Sequence, residues 1–281
     1  MIHIATVHWE TDKWVDIQLK YLNRYITQPF RTYAFLSGSA ANHRDKFFFA
    51  SIEPIQSHAV KLNILGEIIC HEAESDDDIL VFIDGDAFPI ISMNSIIHDW
   101  LTRFPLAAIR RDENSIDRQP HPSFCVTTLK FWKSINGDWK EGATWPTRHG
   151  AITDVGGNLL RILNDKGIEW LPILRTEGTF VHPLWFGVYG GVVYHHGAGF
   201  RLPISRVDKE LAMSRLYHSG VVGKVFCLII KLLPQKIRYI LLKYSGSFRV
   251  IIRTSSSVSE RIYQDILRGR NFLAQLPFYK G

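Results

Sequence analysis

Asp84-Gly85-Asp86 ends the apolar run Ile79-Leu80-Val81-Phe82-Ile83. An unbroken run rich in Ile and Val predicts a strand buried on both faces. The carboxyl end of such a strand is where an α/β sheet keeps its ligands. Two carboxylates this close repel unless a cation lies between them, and oxygen ligands favour Mn²⁺ or Mg²⁺. The expected chemistry is a metal-bridged phosphate site. Asp76-Asp77-Asp78 comes before the same strand and reads as a solvated turn.

Other groups are spaced for related work. His195 and His196 follow the apolar stretch Val192-Val193-Tyr194, and adjacent strand residues face opposite ways, so one of the pair can face a metal. Arg110-Arg111 follows Ala107-Ala108-Ile109. Strand-end arginines clamp phosphate or an acidic sugar, or form an ordinary salt bridge. Asp154, in Thr153-Asp154-Val155-Gly156-Gly157, sits where a loop enters a helix and is placed to cap it.

The elements that must position these groups alternate. Ile2 to Val7 reads as a strand, and residues 14–26 as a helix with an apolar stripe. Strands follow at Tyr33–Leu36 and at 47–50, separated by a polar loop over 39–46. A helix over His58–Ile69 leads back to the 79–83 strand, followed by a helix over Ile96–Phe104 and a strand at 107–109. That order predicts an α/β fold, a Rossmann-type mostly parallel sheet flanked by helices. Beyond 112 the pattern weakens. A strand at Phe124–Thr128, a helix at Leu129–Ile135, a helix over 154–166 and a strand at 170–174 are expected.

The chain has 281 residues and a net charge of +6, with the excess concentrated locally. Residues 221–253 hold seven basic residues, including Lys224, Lys231, Arg238 and Lys243, and no acid. This is a basic tail rather than a nucleic-acid-binding face. Strongly apolar segments lie between the lysines, and Pro234 interrupts them, so an amphipathic basic hairpin or kinked helix is expected. Such a segment suits an anionic membrane surface, or packs on the domain with a solvated basic face. Cys70, Cys125 and Cys227 are far apart and suggest no disulfide framework, which points to a reducing, cytoplasmic setting. The start of the chain lacks the basic head of a signal peptide. No run of about 18 uncharged apolar residues is present to span a membrane.

Residues 1–200 resemble a GT-A-type glycosyltransferase, in which an Asp-x-Asp follows a buried strand about a third of the way along. The resemblance implies a GT-A-like catalytic domain over residues 1–205; by its charge and apolar pattern, 206–281 reads as a helical basic extension suited to a membrane surface. It implies transfer of a sugar from a nucleotide-diphosphate sugar to a hydroxyl of a glycan or lipid-linked acceptor, as in cell-surface polysaccharide synthesis. Asp84 and Asp86 would hold the cation against the diphosphate. A late histidine, His196 in preference to His195 or His182, would complete the metal site. Thr6, His8 and Asp12 would meet the base and ribose. His58, Lys61, Asn63, Gly85, Arg110 and Arg201 would line the rest of the nucleotide-sugar site. Asp154 would face the acceptor, acting as general base in an inverting enzyme, with Gly156 and Gly157 leaving room for a sugar. His121, Ser123, Trp139 and Trp145 would contact the acceptor.

Two other readings use the same residues. A haloacid-dehalogenase-type phosphatase also ends a strand in Asp-x-Asp. That family carries Thr two residues after the second Asp, where this chain has Phe88, and it places the motif on its first strand. The non-enzymatic alternative is a degenerate domain that binds carbohydrate or a lipid surface.

Overall fold

The structure is a computed structural model that describes residues 1–113, 117–147, 150–176, 185–197, 213, 215–243 and 246–275. The chain divides into two compact units, one formed by Met1–Thr176 with Gly187–His195 and the other by Glu177–Phe186 with His196–Lys280.

The first unit is built on a seven-stranded sheet. Its strands are β1 (Ile2–His8), β2 (Phe30–Leu36), β3 (Phe49–Ser51), β4 (Ile79–Asp84), β6 (Leu106–Ile109), β7 (His121–Thr128) and β10 (Leu171–Ile173). Across the sheet the order is β10-β6-β7-β4-β1-β2-β3. Only β7 runs antiparallel to its neighbours β4 and β6; the other pairs are parallel. This is the mostly parallel α/β sheet the strand–helix alternation predicts. Two small sheets accompany it. One pairs β8 (Trp145–Thr147) with β9 (Gly150–Ile152). The other has the order β11 (Trp185–Tyr189), β12 (Val193–Gly197), β5 (Ala87–Pro89).

Helices cover both faces, which explains why β4 is apolar without alternation. Leu80 and Phe82 point into a core with α2 (His58–Glu72), α4 (Leu129–Ile135) and α5 (Gly157–Asp165). Val81 and Ile83 point to the other face, against Leu22 of α1 (Val15–Tyr25) and Ile97 of α3 (Asn94–Arg103). Phe82 meets Trp132 and Trp139 at centroid distances of 4.8 and 5.1 Å, and the two tryptophans stack at 5.7 Å. Each such pair adds about 0.5–1.5 kcal/mol beyond the area it buries. Trp139 is therefore a core residue, not an acceptor contact.

The element boundaries differ from expectation in local ways. Residues 38–46 form two short 3₁₀ segments joined by a kink at His43, not a loop. The third strand begins at Phe49 rather than Phe47. α5 begins at Gly157 and is capped by Gly156, so Asp154 is not its N-cap.

In the second unit, α6 (Val221–Leu232), α7 (Gln235–Lys243) and α8 (Gly246–Leu267) are helical. Pro234 separates α6 from α7, as a residue without an N–H must. The Arg238 guanidinium donates to the carbonyls of Lys231 and Leu233 at 2.8 and 3.2 Å, satisfying groups at the end of α6. Ile230 and Leu242 form a small core with Met213, Leu216 and Phe226. No helix among the described residues is long and apolar enough to cross a membrane.

Candidate active site at the carboxyl edge of the sheet

β1 and β4 are parallel neighbours where the strand order reverses, since β2 and β3 lie beyond β1 and the later strands beyond β4. Ligands of open α/β sheets bind at such a reversal, outside the carboxyl ends of the strands. Asp84 ends β4 at that place. Gly85 follows, with its N–H donating to the Val7 carbonyl at 3.2 Å. A Cβ on Gly85 would lie 2.6 Å from that carbonyl and 2.7 Å from His8 Nδ1. Only glycine lets the turn press this closely against the end of β1.

Gln18 of α1 locks the turn from behind. It is fully buried. Its Nε2 donates to the carbonyls of Asp84 and Ala87 at 2.7 and 2.8 Å. Its Oε1 accepts from Thr6 Oγ1 at 3.1 Å and lies 3.0 Å from His8 Nε2. Because Oε1 only accepts, His8 carries its proton on Nε2. Burial pushes the His8 imidazole down to about 4 against the opposing pull of Gln18 and Asp86, so His8 is neutral. Thr6 and His8 were expected at the nucleotide. The structure commits both side chains to Gln18, which the sequence reading did not single out.

Three groups converge in front of this frame. One ligand atom from each of Asp84, Asp86 and His195 lies within 4.8 Å of the others. His195 Nε2 is 3.5 Å from Asp84 Oδ2 and 3.3 Å from Asp86 Oδ1. His58, the first residue of α2, brings its Nε2 to 3.3 Å from Asp84 Oδ1. That oxygen is buried and makes no hydrogen bond. Burial alone would lower the His195 imidazole, but Asp86 and then Asp84 outweigh it, so its pKa is raised. Negative charge thus gathers here and draws in a proton. Two carboxylates, one oxygen of which makes no hydrogen bond, and one imidazole fit a divalent cation.

The histidine is His195, which corrects the preference for His196. β12 pairs antiparallel with β5, setting His195 opposite Ala87 and Tyr194 opposite Phe88. His195 therefore comes up beside Asp86. His196 turns the other way and hydrogen-bonds Ser259 at 2.7 Å. The choice depends on register with a strand about a hundred residues earlier, which local spacing does not reveal.

Arg110 and Arg111 divide in the same manner. Arg110, expected at the phosphate, forms a bidentate pair with its near neighbour Asp112 at 2.7 and 3.0 Å. Arg111 turns inward and bridges Asp117 at 3.1 Å and Asp154 at 3.2 Å. Asp154 is 44% exposed, and its Oδ1 accepts from the Val155 N–H at 2.8 Å. Gln119 is fully buried near this group, its Cγ 3.4 Å from where a Cβ on Gly156 would sit, and neither of its amide atoms has a hydrogen bond. Gly156 is needed for its positive φ of 90° and for its closeness to the Pro120 carbonyl, not to make room for a sugar.

The remaining candidates scatter. Asp12 accepts from Ser39 Oγ at 3.0 Å and pairs with His43 at 3.3 Å, and these bonds lower its pKa. Lys61 is buried, with Nζ 4.3 Å from the centre of the Trp9 ring; burial lowers its pKa. Asn63 is engaged with protein. It donates to Asp138 and accepts from the Trp139 N–H at 2.9 Å, which ties α2 to the segment before α5. His121 and Ser123 are buried and bonded to each other at 2.8 Å, and the His121 ring is 6.3 Å from that of His195. Burial, then Arg111, His195 and His58, hold His121 well below the usual histidine range. Trp145 is buried and offers no stacking face. His182 and Arg201 lie outside the described residues.

No family model matches the chain, and no curated protein matches it. Among solved structures it is similar to residues 1–349 of S. aureus TarS at 10% identity and a TM-score of 0.40, covering 94% of this chain and 92% of that one. It is similar to galactosyltransferase LgtC with donor and acceptor sugar analogs at 12% identity and a TM-score of 0.32, covering 47% of this chain and 60% of that one. It is also similar to the catalytic domain of Drosophila β1,4-galactosyltransferase 7 with xylobiose at 11% identity and a TM-score of 0.35, covering 61% and 65%. These neighbours are GT-A glycosyltransferases, the class the sequence resembles. Likeness this distant assigns no residue or substrate here; the sheet order and the carboxylate site stand on this chain's own geometry.

Proposed function

We propose that this chain is a glycosyltransferase that moves a sugar from a nucleotide-diphosphate sugar to a hydroxyl of a glycan or lipid-linked acceptor. The observation that carries the reading is the convergence of Asp84, Asp86 and His195 at the carboxyl edge, where the strand order reverses. These three residues would hold a divalent cation, which neutralises the leaving diphosphate when bound. Asp12 presents a half-exposed carboxylate on the loop after β1, suited to accept both hydrogens of a ribose diol. Asp154 is the acceptor-side group. Arg111 fixes its orientation, and in an inverting reaction its carboxylate takes the proton of the attacking hydroxyl.

The charges around Arg111 bear on the sugar. One guanidinium is flanked by two carboxylates, Asp117 and Asp154, so this group supports a neutral sugar rather than an acidic one. Synthesis of a cell-surface polysaccharide is the setting that suits this chemistry.

The test is a thermal-shift panel of nucleoside diphosphates, each with Mn²⁺, on the native protein and on Asp84→Asn. A ligand that binds the folded state raises the melting point. One nucleotide should raise it in a Mn²⁺-dependent way, and the variant should abolish the rise. A shift that persists in Asp84→Asn, or phosphate release from simple phosphate esters by the native protein, would overturn the reading.

A further inference from the structure

The exposed large apolar residues are not scattered. Of the sixteen among the described residues, ten fall between Tyr217 and Leu241. On α6 they share one face. At about 100° per residue, Val221, Val222, Val225, Leu228, Ile229 and Leu232 occupy an arc about 120° wide. Leu228, Val222 and Leu232 are 61%, 84% and 87% exposed. The opposite face, with Gly223, Cys227 and Ile230, is buried. Between the two faces, on one side, stand Lys224 and Lys231. α6 thus has three faces: one packed in its own unit, one cationic, and one apolar and open.

An open apolar face of this size calls for a covering surface. The charges show which kind. Lysine is depleted where protein surfaces meet, yet two lysines line this arc and no acid occurs from 221 to 253 to pair with them. Lys224 Nζ lies 5.5 Å from the centre of the Tyr217 ring, which places an exposed aromatic beside the cation. Apolar side chains bordered by lysine and an amphipathic aromatic match the boundary between acyl chains and anionic headgroups. A twelve-residue helix is about 18 Å long, too short to span the roughly 30 Å hydrocarbon core, so it would lie in the plane of the interface.

We propose that the exposed face of α6 docks on an anionic lipid bilayer. Insertion of its six apolar side chains supplies the apolar term, and Lys224 and Lys231 supply the charge selectivity. This surface is independent of the carboxylate site, so its test needs no sugar donor.

The experiment is vesicle flotation of the full chain with phosphatidylcholine alone and with phosphatidylcholine containing phosphatidylglycerol. Binding is expected only to the anionic vesicles and should weaken with salt. The double variant Leu228→Glu/Leu232→Glu changes exposed side chains and should reduce binding by about tenfold or more. Lys224→Glu/Lys231→Glu should abolish the preference for anionic lipid. Circular dichroism and the nucleotide thermal shift should be unchanged in both variants. Absence of binding, equal binding to both vesicle types, or binding insensitive to both variants would overturn the proposal. So would a native dimer in sedimentation that Leu228→Glu/Leu232→Glu turns into monomer, since a second copy would then cover the face.

Discussion

β4 carries carboxylates at both ends, and the protein uses the two groups in opposite ways. At the amino end, every carboxylate with a described role is paired. Asp78 accepts from the Met1 amino group at 2.6 Å and lies 3.1 Å from His3 Nε2, while Asp76 pairs with Lys133 at 2.5 Å. At the carboxyl end, Asp84 and Asp86 face two histidines, and Asp84 Oδ1 is buried without a hydrogen bond. Composition does not separate these ends. What separates them is the sheet. At the carboxyl edge, the order reverses between β1 and β4, the place where open α/β sheets hold ligands; at the amino edge the carboxylates meet local charges. A carboxylate met by a fixed cation stabilises the fold, whereas carboxylates gathered around imidazoles can exchange those partners for a ligand.

The largest expected effect breaks this comparison most directly. Asp84→Asn/Asp86→Asn should lower the rate of sugar transfer by about 10²–10³-fold or more, measured as initial rates with the nucleotide sugar identified by thermal shift. Asp76→Asn, at the other end, removes an exposed pair and should leave the rate within about twofold. Similar losses at both ends would dissolve the distinction.

Gln18→Leu comes next. It leaves Thr6, His8 and two carbonyls without their buried partner, so unfolding by urea should show a loss of about 2–4 kcal/mol. A loss under about 0.5 kcal/mol would mean that the turn is held by something else. Gly85→Ala should cost about 1–3 kcal/mol as its new methyl pushes the turn off β1. It should weaken Mn²⁺ binding along with stability, and intact metal binding would count against the close approach.

The smallest effect belongs to the amino end. Burial pushes the Asp78 carboxyl up, but hydrogen bonds from the Met1 amino group and His3 outweigh it and hold the pKa below the usual 3.8. A carboxylate depressed in the folded state stabilises the fold above its unfolded value and loses that contribution as pH falls through the folded one. Asp78→Asn should therefore be less stable by about 1 kcal/mol near pH 7. The gap should close below about pH 4, and a gap constant from pH 3 to 7 would refute the pairing.

Much of the scaffold was legible because its signals are local. The run Ile79–Ile83 is apolar at both parities, which requires cover on both faces, and α2, α4 and α5 lie on one side with α1 and α3 on the other. The order of strands and helices implied a mostly parallel sheet, and the carboxylates after β4 fell at its carboxyl edge as that order required. The alternation of His195 and His196 was also readable. The absence of acids from 221–253 needed no structure at all.

The tertiary structure decided which member of each pair meets carboxylates brought from elsewhere in the chain. His195 was selected by the pairing of β12 with β5, and Arg111 by the positions of Asp117 and Asp154. Gln18 gave no sign, because a glutamine in an amphipathic helix ordinarily reads as solvated; it is buried only because α1 crosses behind the ends of β1 and β4. Asn63 and Trp145 look like binding groups by type and become structural because they face protein. α6 shows the same limit from outside: the sequence shows a basic, apolar helix, but only packing reveals which apolar face is covered and which stays open. Periodicity tells which residues share a face, since it arises within one element. What that face meets depends on contacts between elements far apart in the chain, and for this protein those contacts separate site from scaffold.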